Sequence, residues 1–106
     1  EFDVLVTPTV SCPEIPAENW QKSELVVNSR TITDTDTAMT GLWNMFGSCP
    51  VLAVPSGMTA DGLPTGIQII GRPYDDTTVF RVAAALEQHR PWLNSPEHRP
   101  QMIGSI

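Results

Sequence analysis

The chain has 106 residues, 41% of them hydrophobic, with twelve acidic against six basic side chains and a net charge of −6. That length suits one small domain rather than two, and one lysine with five scattered arginines is poor equipment for nucleic acid, whose recognition needs clustered positive charge. No apolar run approaches the ~20 residues of a bilayer-crossing helix, and the opening Glu1-Phe2-Asp3 lacks a signal peptide's basic and apolar regions, so no nucleic acid, no membrane and a cytoplasmic location are expected.

Residues 3–7 (DVLVT) form a β-branched run ended by Pro8, which cannot donate to a sheet ladder. Being apolar on both faces, the run predicts an interior strand, parallel to its neighbours and covered by helices. The chain opens inside this strand-like segment without a methionine, as expected of a truncated or processed product. From residue 8 to 35 the sequence predicts a long irregular stretch with Pro8, Pro13 and Pro16, anchored by Trp20, Leu25, Val26 and Val27. Loops of this length are uncommon in compact domains and are usually functional or mobile.

Asp34, Thr35 and Asp36 are N-cap candidates for a helix over 36–46. Met39, Leu42, Trp43 and Phe46 fall at i, i+3, i+4 and i+7, one apolar stripe, and place Trp43 in the core. Thr37, Thr40, Gly41 and Asn44 lie off that stripe, and Gly47 suits a left-handed C-terminal cap. Residues 51–54 are a continuous apolar run halted by Pro55-Ser56-Gly57, which predicts a strand buried on both faces. Ala60-Asp61-Gly62 supplies a turn, and residues 66–71 (GIQIIG) a return strand with Ile67 and Ile69 on one face and Gln68 and Ile70 on the other. The pair predicts an antiparallel hairpin with a long loop. Asp75 and Asp76 cap a last helix, whose stripe is Val79, Val82, Ala83 and Leu86. His89 and Arg90 occupy its last turn, Pro91 ends it, and the Pro-rich tail to residue 106 has no periodicity.

Generic catalytic motifs are missing: there is no G-x-S-x-G elbow, H-E-x-x-H, G-x-x-x-x-G-K-[ST] or G-x-G-x-x-G. Cys12 and Cys49 stand 37 residues apart with no Cys-x-x-Cys pair, which predicts two free thiols and no zinc. No other metal and no cofactor are expected. His89 and His98 read as helix-end and surface residues, and Asp75 and Asp76 as caps rather than a general acid/base pair. A hydrolase needs a nucleophile, a base within hydrogen-bond reach and oxyanion donors; nothing here assembles that set.

Four pieces in order carry a family resemblance. Residues 3–9 (DVLVTPT) resemble a D-x-L-x-T-P-T strand; Asn44, Gly47, Pro50, Pro55 and Gly57 fit an N-x-x-G…P…V-P-x-G segment; residues 62–73 (GLPTGIQIIGRP) match a G-L-P-x-G-x-Q-x-x-G-R-P run; and a helix with Asp75 or Asp76 at its start and Glu87-Gln88 near its end completes the order. The set resembles the C-terminal part of the amidase signature family, serine hydrolases of carboxamides. Gly47-Ser48-Cys49-Pro50 has two residues between Gly and Pro where many members have one, which points to a subgroup.

The resemblance implies an α/β fold, a mixed β-sheet flanked by helices, and a C-terminal fragment of an amidase domain spanning 1–106. It also implies a Ser–Ser–Lys triad and an oxyanion-binding Gly/Ser-rich segment upstream. None of these maps here: Lys22 sits in no matching motif, and Ser56 lies at a structural strand end. The expected partners are therefore the remainder of the amidase chain and a small-molecule amide substrate, with a homodimer through exposed sheet faces as a further expectation. In relatives the helix over 36–46 resembles a wall of the substrate cleft, so Thr37, Thr40 and Gly41 are the candidate substrate-binding residues. The alternative is that the threonines bond locally and Gly41 permits close helix packing. Competing functions are the amidase component of a glutamine-dependent tRNA amidotransferase and a non-enzymatic small interaction domain.

Overall fold

The structure, a computed structural model, describes residues 1–12, 15–17, 24–99 and 104, without the Asp34 side chain. Pro13, Trp20, Lys22, the Asp34 cap and the tail beyond Arg99, save Gly104, lie outside the described residues.

The predicted hairpin is the centre of the fold. Strand β4 (Val51–Met58) pairs antiparallel with β5 (Pro64–Ile70), Leu52 opposite Ile69 and Val54 opposite Ile67. The turn forms where Asp61-Gly62 predicted it, with Gly62 at φ +83° donating to the Thr59 carbonyl at 3.0 Å. Proline 55 does not halt the strand. It lies within β4 opposite Gly66, and the register slips between Pro55 and Gly57, a bulge on an edge strand where a missing N–H is tolerated. Nor is β4 buried on both faces; its residues alternate between exposed and half-buried.

Strand β1 (Leu5–Pro8) corrects a second expectation. It pairs antiparallel with β5, from Leu5 opposite Ile70 to Pro8 opposite Ile67, and lies at the edge of a sheet ordered β1-β5-β4. Every strand pairing among the described residues is antiparallel. The coarse α/β class holds, since helices and sheets share the chain.

The stretch expected to be irregular contains a second hairpin, β2 (Glu24–Val27) with β3 (Arg30–Thr33). Its two-residue turn places Asn28 at φ +49° and Ser29 at φ +63°, the left-handed geometry that matches hairpin twist. Leu25 is buried there, whereas Val26 faces outward.

The single helix expected over 36–46 is instead two short ones, α1 (Asp34–Thr37) and α2 (Gly41–Asn44). The break has a tertiary cause. Val10 bridges Ala38, the Ser11 N–H donates to the Thr37 carbonyl at 2.9 Å, and the Met39 N–H donates to the Thr9 carbonyl at 3.1 Å. Those backbone groups are spent on pairing with the chain after β1, so the helix cannot run through. Thr33 is the N-cap of α1, and its N–H donates to the Asp36 carboxylate at 2.9 Å. Leu42 and Phe46 are consequently exposed and Trp43 only half-buried. Gly47 makes no left-handed cap, because α2 ends on Met45 in a right-handed conformation.

Helix α3 (Asp76–His89) forms as its pattern predicted, with Asp75 as N-cap and Val79 buried. After Arg90, two single-turn 3-10 helices cover Trp92–Asn94 and Pro96–His98. The core lies where the end of β5 meets α3, with Ile69, Ile70 and Val79 each almost wholly enclosed. Both cysteines are free thiols, Cys12 buried and Cys49 half-buried. Among the described residues no helix is long and apolar enough to cross a membrane. The accessible surface is 8497 Å², against roughly 5,800 Å² for a compact monomer of this mass.

Candidate functional site

The segment carrying Thr37, Thr40 and Gly41 runs antiparallel to the chain just after β1 and is tied to the sheet by one buried side chain. Gln68, 2% exposed, stands in the central strand β5. Its Nε2 donates to the Pro8 carbonyl at 2.8 Å and the Met39 carbonyl at 3.1 Å, with the Thr7 hydroxyl further off at 3.4 Å. An amide nitrogen has two hydrogens, so the two shorter contacts use them both. Gln68 thus ties the end of β1 to the link between α1 and α2, and the bridge of Val10 to Ala38 completes the clamp.

This clamp positions the three candidate residues differently. Thr37 ends α1 and is 7% exposed, its carbonyl held by Ser11. Thr40 is the exposed N-cap of α2, and its carbonyl accepts from the Trp43 N–H at 3.1 Å. Gly41 opens α2 with no atom within 4 Å of the place a Cβ would take. Gly41 therefore serves no close helix packing. Thr40 and Gly41 stand side by side on open surface, and Thr37 lies inside it.

Ser56 and His98 line one cleft of about 430 Å³ between β4 and the 3-10 turns. They are not paired. The Ser56 hydroxyl bonds the Thr65 hydroxyl across the hairpin at 2.8 Å. His98 lies stacked on Trp92 with ring centroids 3.9 Å apart and its Nδ1 2.9 Å from the Trp92 carbonyl oxygen. A serine becomes nucleophilic only when a base takes its proton, and no such pair exists among the described residues.

Two of the acids, Asp75 and Asp36, are likewise structural. Asp75 accepts from the Thr78 hydroxyl at 2.6 Å and the Thr78 N–H at 3.2 Å. These bonds, the hydroxyl first, hold its carboxyl below the ordinary range, with smaller help from Arg72 and Arg81. Asp36 is lowered in the same way by the N–H and hydroxyl of Thr33. Asp75 is the N-cap of α3, as the sequence predicted, whereas Asp36, expected among the N-cap candidates of its helix, stands inside α1 and bonds back to the actual N-cap, Thr33. Among the described residues no three His, Cys, Asp or Glu side chains gather as a metal site.

Sequence reasoning missed Gln68, the residue that organises this region. Two signals were available: the fixed glutamine of the G-L-P-x-G-x-Q-x-x-G-R-P run, and a glutamine flanked by isoleucines in a strand, IQII, since a polar side chain on a buried face needs partners.

A family model described as Amidase matches residues 1–80. An acylamidase of Rhodococcus erythropolis is 39% identical over 94 residues, covering 89% of this chain and 20% of the relative. A glutamyl-tRNA(Gln) amidotransferase subunit from Granulibacter bethesdensis is 37% identical over 98 residues, covering 88% of this chain and 18% of the relative. A fatty acid amide hydrolase of Arabidopsis thaliana is 37% identical over 98 residues, covering 91% of this chain and 16% of the relative. The chain thus spans about a fifth of the length of the curated relatives it matches. With most of its length matched, this chain belongs to the amidase family.

Proposed function

We propose that this chain is the C-terminal scaffold of an amidase that hydrolyses carboxamide C–N bonds through a serine nucleophile on another part of the same protein. The observation that carries the reading is the family match over residues 1–80, on a chain whose described serines and histidines form no nucleophile–base pair. In this reading the chain is the C-terminal part of the amidase signature fold. Its Thr40 and Gly41 border the substrate, Thr37 supports them, and Gln68 sets their position. An amide would meet the open backbone at Gly41 and the hydroxyl of Thr40, groups suited to a planar polar ligand.

The test is amide hydrolysis by the full-length protein and by this chain alone, followed by release of ammonia or amine from simple aliphatic and aryl amides. Turnover is expected from the first and none above background from the second. Activity in the isolated chain, or none in the full-length protein, overturns the proposal.

A second reading has specific support in the Granulibacter bethesdensis relative, named as part of a glutamyl-tRNA(Gln) amidotransferase. There the protein would release ammonia from glutamine for a partner polypeptide. Glutaminase activity that rises when that partner is added marks this reading; hydrolysis of simple amides without any partner marks the first.

A further inference from the structure

Residues 37–60 contain no Asp, Glu, Lys, Arg or His, although charged residues make up 17% of the chain. All three candidate substrate residues, Thr37, Thr40 and Gly41, lie in this uncharged run. Asp36, the charge that precedes it, is engaged: its carboxylate accepts from the Thr33 N–H at 2.9 Å and the Thr33 hydroxyl at 2.8 Å. Asp3 and Arg72 line the hollow that Trp43 also borders. Their charges oppose one another, and Arg72 already donates to the Phe2 carbonyl at 2.9 Å and lies 3.5 Å from the Glu1 carboxylate.

Past Gly41 the same segment holds large apolar side chains in the open. Leu42, Met45 and Phe46 are 57%, 81% and 53% exposed. The Met45 N–H donates to the Leu42 carbonyl at 3.2 Å and the Phe46 N–H to the Trp43 carbonyl at 3.1 Å. Bonds of that spacing bring side chains three residues apart over one another. Leu42 and Met45 therefore make one apolar ridge, and Trp43 and Phe46 a second, with ring centroids 6.4 Å apart. A few polar groups beside an apolar wall is the usual make-up of a small-molecule site. Glutamine would bring an ammonium and a carboxylate to this wall. Both would lose water against Leu42, Met45 and Phe46 with no counter-charge on the segment, a penalty that a neutral chain escapes.

We infer that the substrate is a neutral amide bearing an apolar alkyl or aryl group, seated against Leu42, Met45 and Phe46, and that free glutamine is rejected. This rests on the amidase reading above and adds the specificity surface to it. It also divides that reading from the glutamine-dependent one, because the two need opposite surroundings for the amide.

The test compares pentanamide, acetamide and glutamine on the full-length protein. Pentanamide and glutamine are both five-carbon primary amides, and only glutamine carries an ammonium and a carboxylate. The kcat/KM for pentanamide is expected to exceed that for glutamine by at least about 100-fold and that for acetamide by at least about tenfold. In the double variant Leu42→Ala/Met45→Ala the pentanamide-to-acetamide ratio should fall toward one. Purely structural damage lowers both substrates together and leaves the ratio where it was. Glutamine used as well as pentanamide, or a ratio unmoved by the double substitution, overturns the inference. Saturation-transfer NMR with the same three compounds reads binding without turnover. An inactive protein that binds pentanamide but not glutamine sinks only the amidase; an active one that takes glutamine equally sinks only the inference. A protein that neither binds nor turns over pentanamide sinks both.

Discussion

Gln68 shows how much of this region depends on one side chain. Its Nε2 supplies donors to two carbonyls, Pro8 and Met39, that belong to different segments of the chain. Gln68→Leu keeps comparable bulk and removes both donors, leaving the carbonyls short of partners at a cost of about 1–3 kcal/mol. Urea unfolding of the full-length protein measures it, and a change below about 0.5 kcal/mol, the ordinary scatter of surface substitutions, would refute the clamp. Asp75 makes a prediction of different kind. The Thr78 bonds lower its folded pKa from the ordinary 3.8. Its stabilising effect is therefore complete above that value and is lost as pH falls through the lowered folded pKa. Asp75→Asn keeps an acceptor for Thr78 but cannot titrate. Melting temperatures from pH 6 down to about 2.5 should fall less steeply for this variant than for the wild type; parallel curves would contradict the assignment. Asp36 supplies a remaining slope, since it is lowered too. The capping aspartate was legible in the sequence because its partner is three residues away. The role of Gln68 was not, because its partners lie 29 and 60 residues away.

Elements divide along the same line. The hairpin of β4 and β5 and the helix α3 are specified by neighbours in sequence: a turn with Asp-Gly, a capping aspartate and an apolar stripe. They form where their patterns predict, although β4 runs on through Pro55 to Met58 and is not buried on both faces. The helix expected over 36–46 fails because its middle is rich in Thr and Gly, weak helix formers, and because the chain following β1 competes for its backbone groups. The hairpin of β2 and β3 was overlooked for a related reason. Its turn is Asn-Ser rather than Asn-Gly, which muted the strongest hairpin signal. The joint between sheet and α3 is tighter than the sequence suggests. A Cβ on Gly71 would lie 3.0 Å from Pro50 Cγ, 3.1 Å from Val79 Cγ1 and 3.2 Å from the Asp75 carbonyl oxygen. Relief would need the α3 N-terminus to move off the sheet, because a backbone carbonyl is among the neighbours. Gly71→Ala is thus expected to destabilise by about 1–3 kcal/mol, the usual range for overpacking. An unfolding midpoint equal to wild type would show that the joint yields freely. Gly41→Ala is a fitting control for stability, since its Cβ would meet open space.

For the whole molecule, apolar surface and chain length point the same way. The 8497 Å² of accessible surface exceeds the compact-monomer value of roughly 5,800 Å². The radius of gyration, 16.4 Å, stands against about 13 Å for a compact chain of this length. Some of that surface is apolar and contiguous: Phe80, 63% exposed, and Leu93 line a groove of about 440 Å³ with Leu52 and Val54. Monomeric proteins rarely leave such patches bare, and an independent small interaction domain would be expected to close its core before offering a face to a partner. Produced alone, the 106-residue chain should therefore bury these faces against copies of itself. Sedimentation at micromolar concentration is expected to give species well above the 11.6 kDa of one chain, and replacing Phe80 and Leu93 together by lysine should shift the distribution toward the monomer. A monodisperse monomer before any substitution would mean that these surfaces need no cover. The longer polypeptide would then no longer be required to explain them.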